Sequence, residues 1–493
     1  VADPSAPLWV GIDVGTQGVR AVAALDDGTV AGQGAAPLRG TRRDGRHEQD
    51  PEHWWEAVGA ACRTAMEQAG ARRPVGGAAL CATSGTVLAA DRALRPLGPA
   101  LMYDDGRAAA AAEDLIAAAG EEAWQRVGAR PQPSWAFARL ALLGRRALRP
   151  GRGDLLLHQA DFLTGRLNGA PTAADTSHAL KSGADPMAAA WPDPVVEAMG
   201  VPPVALPALT VPGRPVGTVC ARAAAHTALP QGTPIVAGMT DGCAAQLASG
   251  ALEPGRWNAV LGTTLVLKGT SEQRISDGAS GVYSHRSPDG KWWPGGASST
   301  GAGVLASAFP GTDPASMDAV ADLDRPASAV VYPLAGHGER FPFAAPQARG
   351  FTLGAPADEA DRYAATLQGV AFVERLCFER LAELGAPVSG PVRVTGGAVA
   401  GARWTQLRAD VLGRALEVPE NTAPAFGMAL LAACGGGPPE RVAARMVRIR
   451  ATVEPRAEVG ERLEGAYRRL VEELAERGWT DAPAGAGARR GLR

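Results

Sequence analysis

Asp13-Val14-Gly15-Thr16-Gln17 gathers a carboxylate, a hydroxyl and a glycine backbone directly after an apolar run. A hairpin turn of that composition aims free N–H groups and the Thr16 hydroxyl at one point, as a nucleotide phosphate requires, while Asp13 can order a divalent cation through its waters. The same residues also make an ordinary Asp-Gly turn. Gly262-Thr263-Thr264 again follows an apolar run, and two such turns facing each other across a cleft would pinch a triphosphate. Thr395-Gly396-Gly397 comes after Val392-Arg393-Val394 and before a helical pattern, where glycine lets the backbone approach an adenosine closely. Asp241 stands between an apolar run and a helix; a carboxylate there can accept the proton of a substrate hydroxyl during phosphoryl transfer. Taken alone, helix capping is the simpler role for it.

These residues need elements to hold them. Residues 8–12, 19–25 and 30–36 are apolar runs separated by Gly-containing turns, which predicts a meander of core strands. Asp50 as cap and Pro51 at the first helical position start a helix over residues 51–69, in which Trp54, Trp55, Val58, Ala61, Cys62 and Met66 recur near helical spacing. Residues 78–82 and 87–90 return to strand character around Thr83-Ser84-Gly85-Thr86. Residues 107–200 predict a mainly helical insertion. A second half repeats the grammar of the first: an apolar run at 234–238, a turn at Asp241-Gly242, a helix over 245–252, strands before Gly262 and at 392–395, and a helix over 403–412. The expected organisation is therefore an extension at 1–7, lobes at 8–237 and 238–481, and a disordered tail at 482–493. Gly238 and Gly396-Gly397 are the expected hinges.

Composition removes several functions. Forty-nine basic against fifty-one acidic residues, a net charge of −2, leave no basic surplus for nucleic acid or an anionic bilayer. None of the three lysines, Lys181, Lys268 and Lys291, sits in a P-loop context. The six cysteines lie singly, without a C-x-x-C pair, as reduced and mostly buried thiols do. With no long apolar run and no basic leader, the expected location is the cytoplasm. His47-Glu48 with His53 lacks the spacing of a zinc site because Pro51 interrupts it. Trp292-Trp293 reads as packing, and Arg42-Arg43-Asp44-Gly45-Arg46 as a solvated loop. Nothing in the chain speaks against a homodimer.

Five motifs in order over residues 8–435 resemble the FGGY carbohydrate kinases. They are Asp13-x-Gly15-Thr16-x-x-x-Arg20, Glu48-Gln49-x-Pro51-x-x-Trp54-Trp55, Gly238-x-x-Asp241-Gly242, Leu261-Gly262-Thr263-Thr264, and Thr395-Gly396-Gly397 continuing through Trp404 to Asp410 and Gly413. The resemblance implies an α/β, actin-like ATPase fold of two ribonuclease-H-like lobes with a cleft between them. It implies ATP and Mg2+, a small-molecule sugar as substrate, and Asp241 as catalytic base. Sugar contacts fall to Asp13, Ser84 and Asp241, and Mg2+ to Asp13. Nucleotide contacts fall to Gly15, Thr16, Gln17, Gly262, Thr263, Thr264, Gly396, Gly397, Gly401 and Trp404.

Within that family, residues 82–86, 101–105, 158–161, 179–181 and 281–286 resemble the sedoheptulokinase-like branch, which includes D-ribulose kinases. The Gln-Met-His-Gly stretch of xylulokinases is absent, which argues against xylulose. The nucleotide end departs from the family pattern at Ala398, Val399, Ala400 and Gly401, leaving Trp404 to pack beside the base. The expected reaction is ATP-dependent phosphorylation of a ketose at a primary hydroxyl, D-ribulose to D-ribulose 5-phosphate. Sedoheptulose, L-ribulose or a polyol are the alternative substrates. An actin-like ATP-binding regulator without a sugar substrate is the alternative of another class.

Overall fold

Val10, Ile12, Val14 and Val19 are all removed from solvent, and the strands that carry them, Leu8–Val14 and Gly18–Ala24, pair antiparallel with Asp13 opposite Arg20. The computed structural model describes residues 6–70, 73–132 and 135–480; the tail expected at 482–493 and residues 1–5 lie outside them. Two compact units form. The first runs to Gly250 and also takes in His285–Lys291 and Asn421–Arg448; the second takes Ala251–Ser284, Trp292–Glu420 and the chain from Ile449 onward.

In the first unit the sheet order is Pro215–Thr218, Pro234–Val236, Val75–Ala82, Leu8–Val14, Gly18–Ala24, Val30–Pro37. The last three form the expected antiparallel meander, Val75–Ala82 and Pro234–Val236 add parallel to it, and Pro215–Thr218 closes the edge antiparallel. In the second unit, Trp292–Ala297, Leu265–Gly269 and Trp257–Leu261 repeat the meander, Val392–Thr395 and Leu416–Pro419 follow in parallel, and Ile449–Val453 is the antiparallel edge. Six strands thus recur in the same order and sense. The duplicated grammar of the sequence is a duplicated topology.

The helix Pro51–Ala69 begins as expected, with Asp50 accepting the N–H of Glu52. Residues 107–200 are mostly helical, but Leu155–His158 is a strand that pairs along its whole length with Val87–Ala90 in a separate small sheet. Thr83 to Thr86 is therefore the passage between two sheets. Arg42 to Arg46 is a hairpin rather than a loop: Asp44 and Gly45 take positive φ between the paired strands Thr41–Arg43 and Arg46–Gln49, the Asp-Gly signal for such a turn.

Two expectations about the middle of the chain need correction. Asp241 does not lie in a turn ahead of a helix, since it is the first residue of the helix Asp241–Ser249. It also belongs to the first unit, because Thr240 continues the parallel sheet by bridging Ala82. The segment that returns to this unit explains the arrangement. Its helix, Pro424–Ala433, lies backbone to backbone on the first strand at Gly11 and on the helix Asp241–Ser249 at Gly427. A Cβ at Gly11 would sit 1.8 Å from the Ala425 carbonyl oxygen, and one at Gly427 2.0 Å from that of Ala244. One helix thereby backs the strand of Asp13 and the helix of Asp241 together. Gly238 and Gly396 serve the same purpose, since added Cβ atoms would meet the carbonyls of Leu80 at 1.7 Å and Leu261 at 2.5 Å. Close backbone approach selects glycine at both positions, and the positive φ of Gly396 selects it again.

Gly11→Ala is expected to lower the unfolding free energy by at least about 2 kcal/mol, because overpacking against backbone cannot be relieved by a rotamer change. Denaturant unfolding of the two proteins measures it, and equal midpoints would contradict the close contact.

Candidate functional site

Three neighbouring parallel strands of the first unit end side by side, and their carboxyl ends bring two of the candidate residues together. Asp13 pairs with Cys81 across the first two strands, and Asp241 follows the third through Thr240. The space beyond the carboxyl ends of parallel strands is where α/β sheets place ligands. Asp13 is 4% exposed; the Cys81 thiol donates to its Oδ1 at 3.5 Å, and Arg20 lies 3.9 Å from its Oδ2. Burial, and then the nearby Asp241 carboxylate, push the Asp13 carboxyl up to about 6, with Cys81 and Arg20 pulling the other way. Burial and the two carboxylates raise the Cys81 thiol well above its ordinary range, so it acts as a donor. Asp241 is half-buried, and its Oδ1 accepts the N–H of Gly242 at 2.7 Å, at a helix start where a negative side chain is favoured.

The turn after Asp13 is a hairpin closed by the Gly15 N–H on the Gly18 carbonyl. Gln49 holds it: its amide donates to the Thr16 carbonyl at 2.8 Å, and its own carbonyl accepts the Trp54 indole N–H at 2.6 Å. The Gln49-x-x-x-x-Trp54 spacing was visible in the sequence, but its part in fixing Thr16 was not. An open cavity of about 680 Å³ lies against this turn, lined by Gly15, Thr16, Gln17, Arg20, Arg42 and Tyr103 among others. Ser84 sits in the passage after Val75–Ala82, and its Oγ is shielded from solvent without a hydrogen-bond partner. A buried hydroxyl left unmatched is one that a ligand can satisfy. His47, by contrast, is buried against Asp104, as a structural pair.

The second unit carries the matching hairpin. Leu261 pairs with Leu265 around Gly262, Thr263 and Thr264, and the tip is closed by the Gly262 N–H on the Thr264 carbonyl. Its support is a loop that the sequence did not announce. The N–H groups of Ala302 and Gly303 donate to the carbonyls of Gly262 and Thr263, and Gly301 passes so close that a Cβ would meet Thr264 Cα at 2.5 Å. Glu339, 2% exposed, secures that loop by accepting from Ser298 Oγ at 3.0 Å, Thr300 Oγ1 at 3.1 Å and the Tyr332 hydroxyl at 2.8 Å. No local pattern links residues some forty positions apart.

Gly396 takes φ +92 at the end of Val392–Thr395, Gly397 begins a short 3-10 turn, and Gly401 caps the helix Ala402–Leu412. Trp404, expected beside the base, is instead 5% exposed within the apolar core, its indole N–H donated to the Leu367 carbonyl. An apolar pocket of about 430 Å³, lined by Leu305, Ala306, Phe309, Pro314 and Tyr363 among others, opens in the same unit. Among the described residues, no three His, Cys, Asp or Glu side chains gather as a metal cage. No helix among them is long and apolar enough to cross a membrane.

Two family descriptions match this chain. The FGGY family of carbohydrate kinases, N-terminal domain, covers residues 8–248, and the C-terminal domain of the same family covers residues 257–435. The chain belongs to the FGGY family of carbohydrate kinases. It is 30% identical over 433 residues to a xylulose kinase of Streptomyces rubiginosus, covering 84% of each chain. A ribulokinase of Mycolicibacterium smegmatis is 30% identical over 246 residues, covering 46% of this chain and 43% of its own. The crystal structure of a xylulose kinase from Rhodospirillum rubrum superposes with a TM-score of 0.84 at 25% identity, covering 96% of this chain and 99% of that one. As an FGGY kinase the protein has the actin-like ATPase fold and is an ATP-dependent phosphotransferase acting on a carbohydrate.

The raised Asp13 carboxyl has a measurable cost. The unfolded chain carries it near 3.8 and the folded protein near 6, so folding is disfavoured above pH 6. That penalty fades as the pH falls from 6 towards 4, where both states become protonated. A gap of that size corresponds to about 3 kcal/mol. Asp13→Asn is expected to stabilise the ligand-free protein by about 1 to 3 kcal/mol at pH 7.5, with the gain gone at pH 3.5. Urea unfolding at the two pH values checks it, and equal stability at pH 7.5 would contradict a buried Asp13 near the Asp241 carboxylate.

Proposed function

We propose that this FGGY kinase transfers the γ-phosphoryl group of ATP to the primary hydroxyl of a ketopentose. The observation that carries the reading is a half-buried carboxylate, Asp241, beside a buried one, Asp13, at the carboxyl ends of parallel strands. Asp241 accepts the proton of the sugar hydroxyl as its oxygen attacks the γ-phosphorus, and Ser84 Oγ takes a hydrogen bond from or to the same sugar. Asp13 is the residue that would hold Mg2+ arriving with the nucleotide, since such sites use one or two carboxylates together with phosphate oxygens and water rather than a protein cage. The raised Asp13 carboxyl supports this, because a cation there offsets both the burial of its charge and the repulsion from Asp241. When bound, the ion neutralises charge on the phosphates. Thr16 with Gly15 and Gln17, and Thr263 with Gly262 and Thr264, are the groups offered to phosphate oxygens. Gly396, Gly397 and Gly401 are offered to the adenosine.

D-ribulose is the first substrate in this reading because the Ala82–Thr86 passage presents Thr83-Ser84-Gly85 instead of Gln-Met-His-Gly. D-xylulose is the second, favoured by the xylulose kinases among the relatives. Coupled assays with ATP and D-ribulose, D-xylulose, L-ribulose, sedoheptulose and polyols decide between them by kcat/KM. Asp241→Asn is expected to lower kcat by roughly 10²- to 10⁴-fold, the usual worth of a general base, while nucleotide binding by calorimetry is kept. A variant retaining most of its kcat would remove Asp241 from the mechanism. ATP turnover equal with and without every sugar would favour the regulator instead.

A further inference from the structure

We propose that Ser177 is the positioning residue of the Asp241 elbow, held in place by the buried Asp175–His178 pair. The inference rests on the proposed role of Asp241 and concerns how that side chain is aimed. Asp175 caps the single helical turn Thr176–Ala179, accepting the N–H groups of Ser177 and His178 at 2.9 Å each on Oδ1. The Ser177 hydroxyl donates to the same Oδ1 at 2.7 Å. Its direction being fixed in this way, Ser177 Oγ turns a lone pair to the Thr240 N–H, which donates to it at 2.9 Å. Thr240 is the residue from which the helix of Asp241 starts. Asp175, Ser177 and Thr240 are 4%, 1% and 2% exposed, so water does not compete for any of these bonds.

His178 completes the clamp. Its Nδ1 faces Asp175 Oδ2 at 2.7 Å and its Nε2 faces the Ala82 carbonyl at 3.2 Å. Both partners are acceptors, so both bonds form only when each ring nitrogen carries a proton. Burial pulls against that cation, but Asp175 outweighs it and raises the imidazole to about 8. The charged ring therefore neutralises the buried Asp175 carboxylate at neutral pH. Ala82 ends the strand before Ser84 and bridges Thr240 directly. One short segment, Asp175 to His178, thus fixes the strand end leading to the proposed sugar-binding hydroxyl and the elbow leading to the proposed base.

Removing the Ser177 hydroxyl leaves the Thr240 N–H buried without an acceptor, and the elbow must shift to find one. A displacement of about 1 Å at a reacting group is enough to cost up to about 10²-fold in rate. Ser177→Ala is expected to lower kcat by about 10- to 100-fold, with the KM for ATP within about threefold of the parent and the protein folded at the assay temperature. Ser177→Thr, which restores the hydroxyl, is expected to recover most of the loss. A kcat within twofold of the parent for Ser177→Ala overturns the proposal. So does a loss of activity that only tracks the fraction unfolded, which is the result of a merely structural role. Asp241→Asn separates the two layers: if it stays active the reading of Asp241 fails, whereas an inactive Asp241→Asn beside a fully active Ser177→Ala overturns the positioning alone. Hydrogen exchange on the unsubstituted protein reads the same bond. The Thr240 amide is expected to exchange as slowly as core strand amides, and the fast rate of an open helix start would overturn the proposal.

Discussion

Two carboxylates held near each other at the carboxyl ends of neighbouring parallel strands set the terms for the rest of the first unit. Burial penalises the Asp13 carboxylate and the nearby Asp241 charge adds to that penalty, so its carboxyl is raised to about 6, and the two groups are eased by a cation between them. Such a pair persists only if the scaffold over-determines it. The constraint comes from backbone contacts that admit no side chain, at Gly11, Gly238 and Gly427, and from the helix Pro424–Ala433, which rests on both the strand of Asp13 and the helix of Asp241. Stability is given up at the site and recovered in the packing behind it.

The two units share a topology and divide the chemistry. Each presents a three-residue hairpin tip with a Gly-Thr pair, Gly15-Thr16 in one and Gly262-Thr263 in the other. Where the first has Asp13 two residues before its glycine, the second has Val260. The duplicated turn therefore keeps the same backbone hairpin and threonine hydroxyl in both halves, while only the first half carries the acid. The supports differ as well. Gln49 and Trp54 hold Thr16 from the side, whereas the second tip leans on a loop tied down by the buried Glu339. Same backbone, different restraints: duplication preserves the sheet more faithfully than the side chains that tune it.

Local signals made much of this legible. The meander at residues 8–37 and the helix that starts at Asp50-Pro51 follow from alternation, turn residues and capping, each settled within a few neighbours. Asp13 and Asp241 were identifiable from their motifs, and the repeat from its weak second appearance. What stayed hidden depends on distance in the chain. Residues 421–448 return to the first unit through small residues whose reason for being small, the close approach at Gly11 and Gly427, is visible only in three dimensions. The sequence reads Asp241-Gly242 as a turn of the second lobe, whereas Asp241 starts a helix and the bridge from Thr240 to Ala82 ties it to the first unit. Trp404 follows Thr395-Gly396-Gly397 in sequence, but helical geometry turns its ring into the core. Gln49 and Ser177 act on backbone groups, and Glu339 on hydroxyls, that lie elsewhere along the chain, and no spacing rule points to such partners.

Titrating Asp13 itself reads the burial of that carboxylate and its closeness to Asp241 most directly. Carboxyl carbon-13 shifts in the ligand-free protein, assigned with Asp13→Asn, follow the group through pH 3 to 8. A midpoint near 6 is expected in the parent protein and a lower one in Asp241→Asn, where the neighbouring charge is gone. A midpoint near 4 in both proteins would contradict a buried Asp13 facing Asp241.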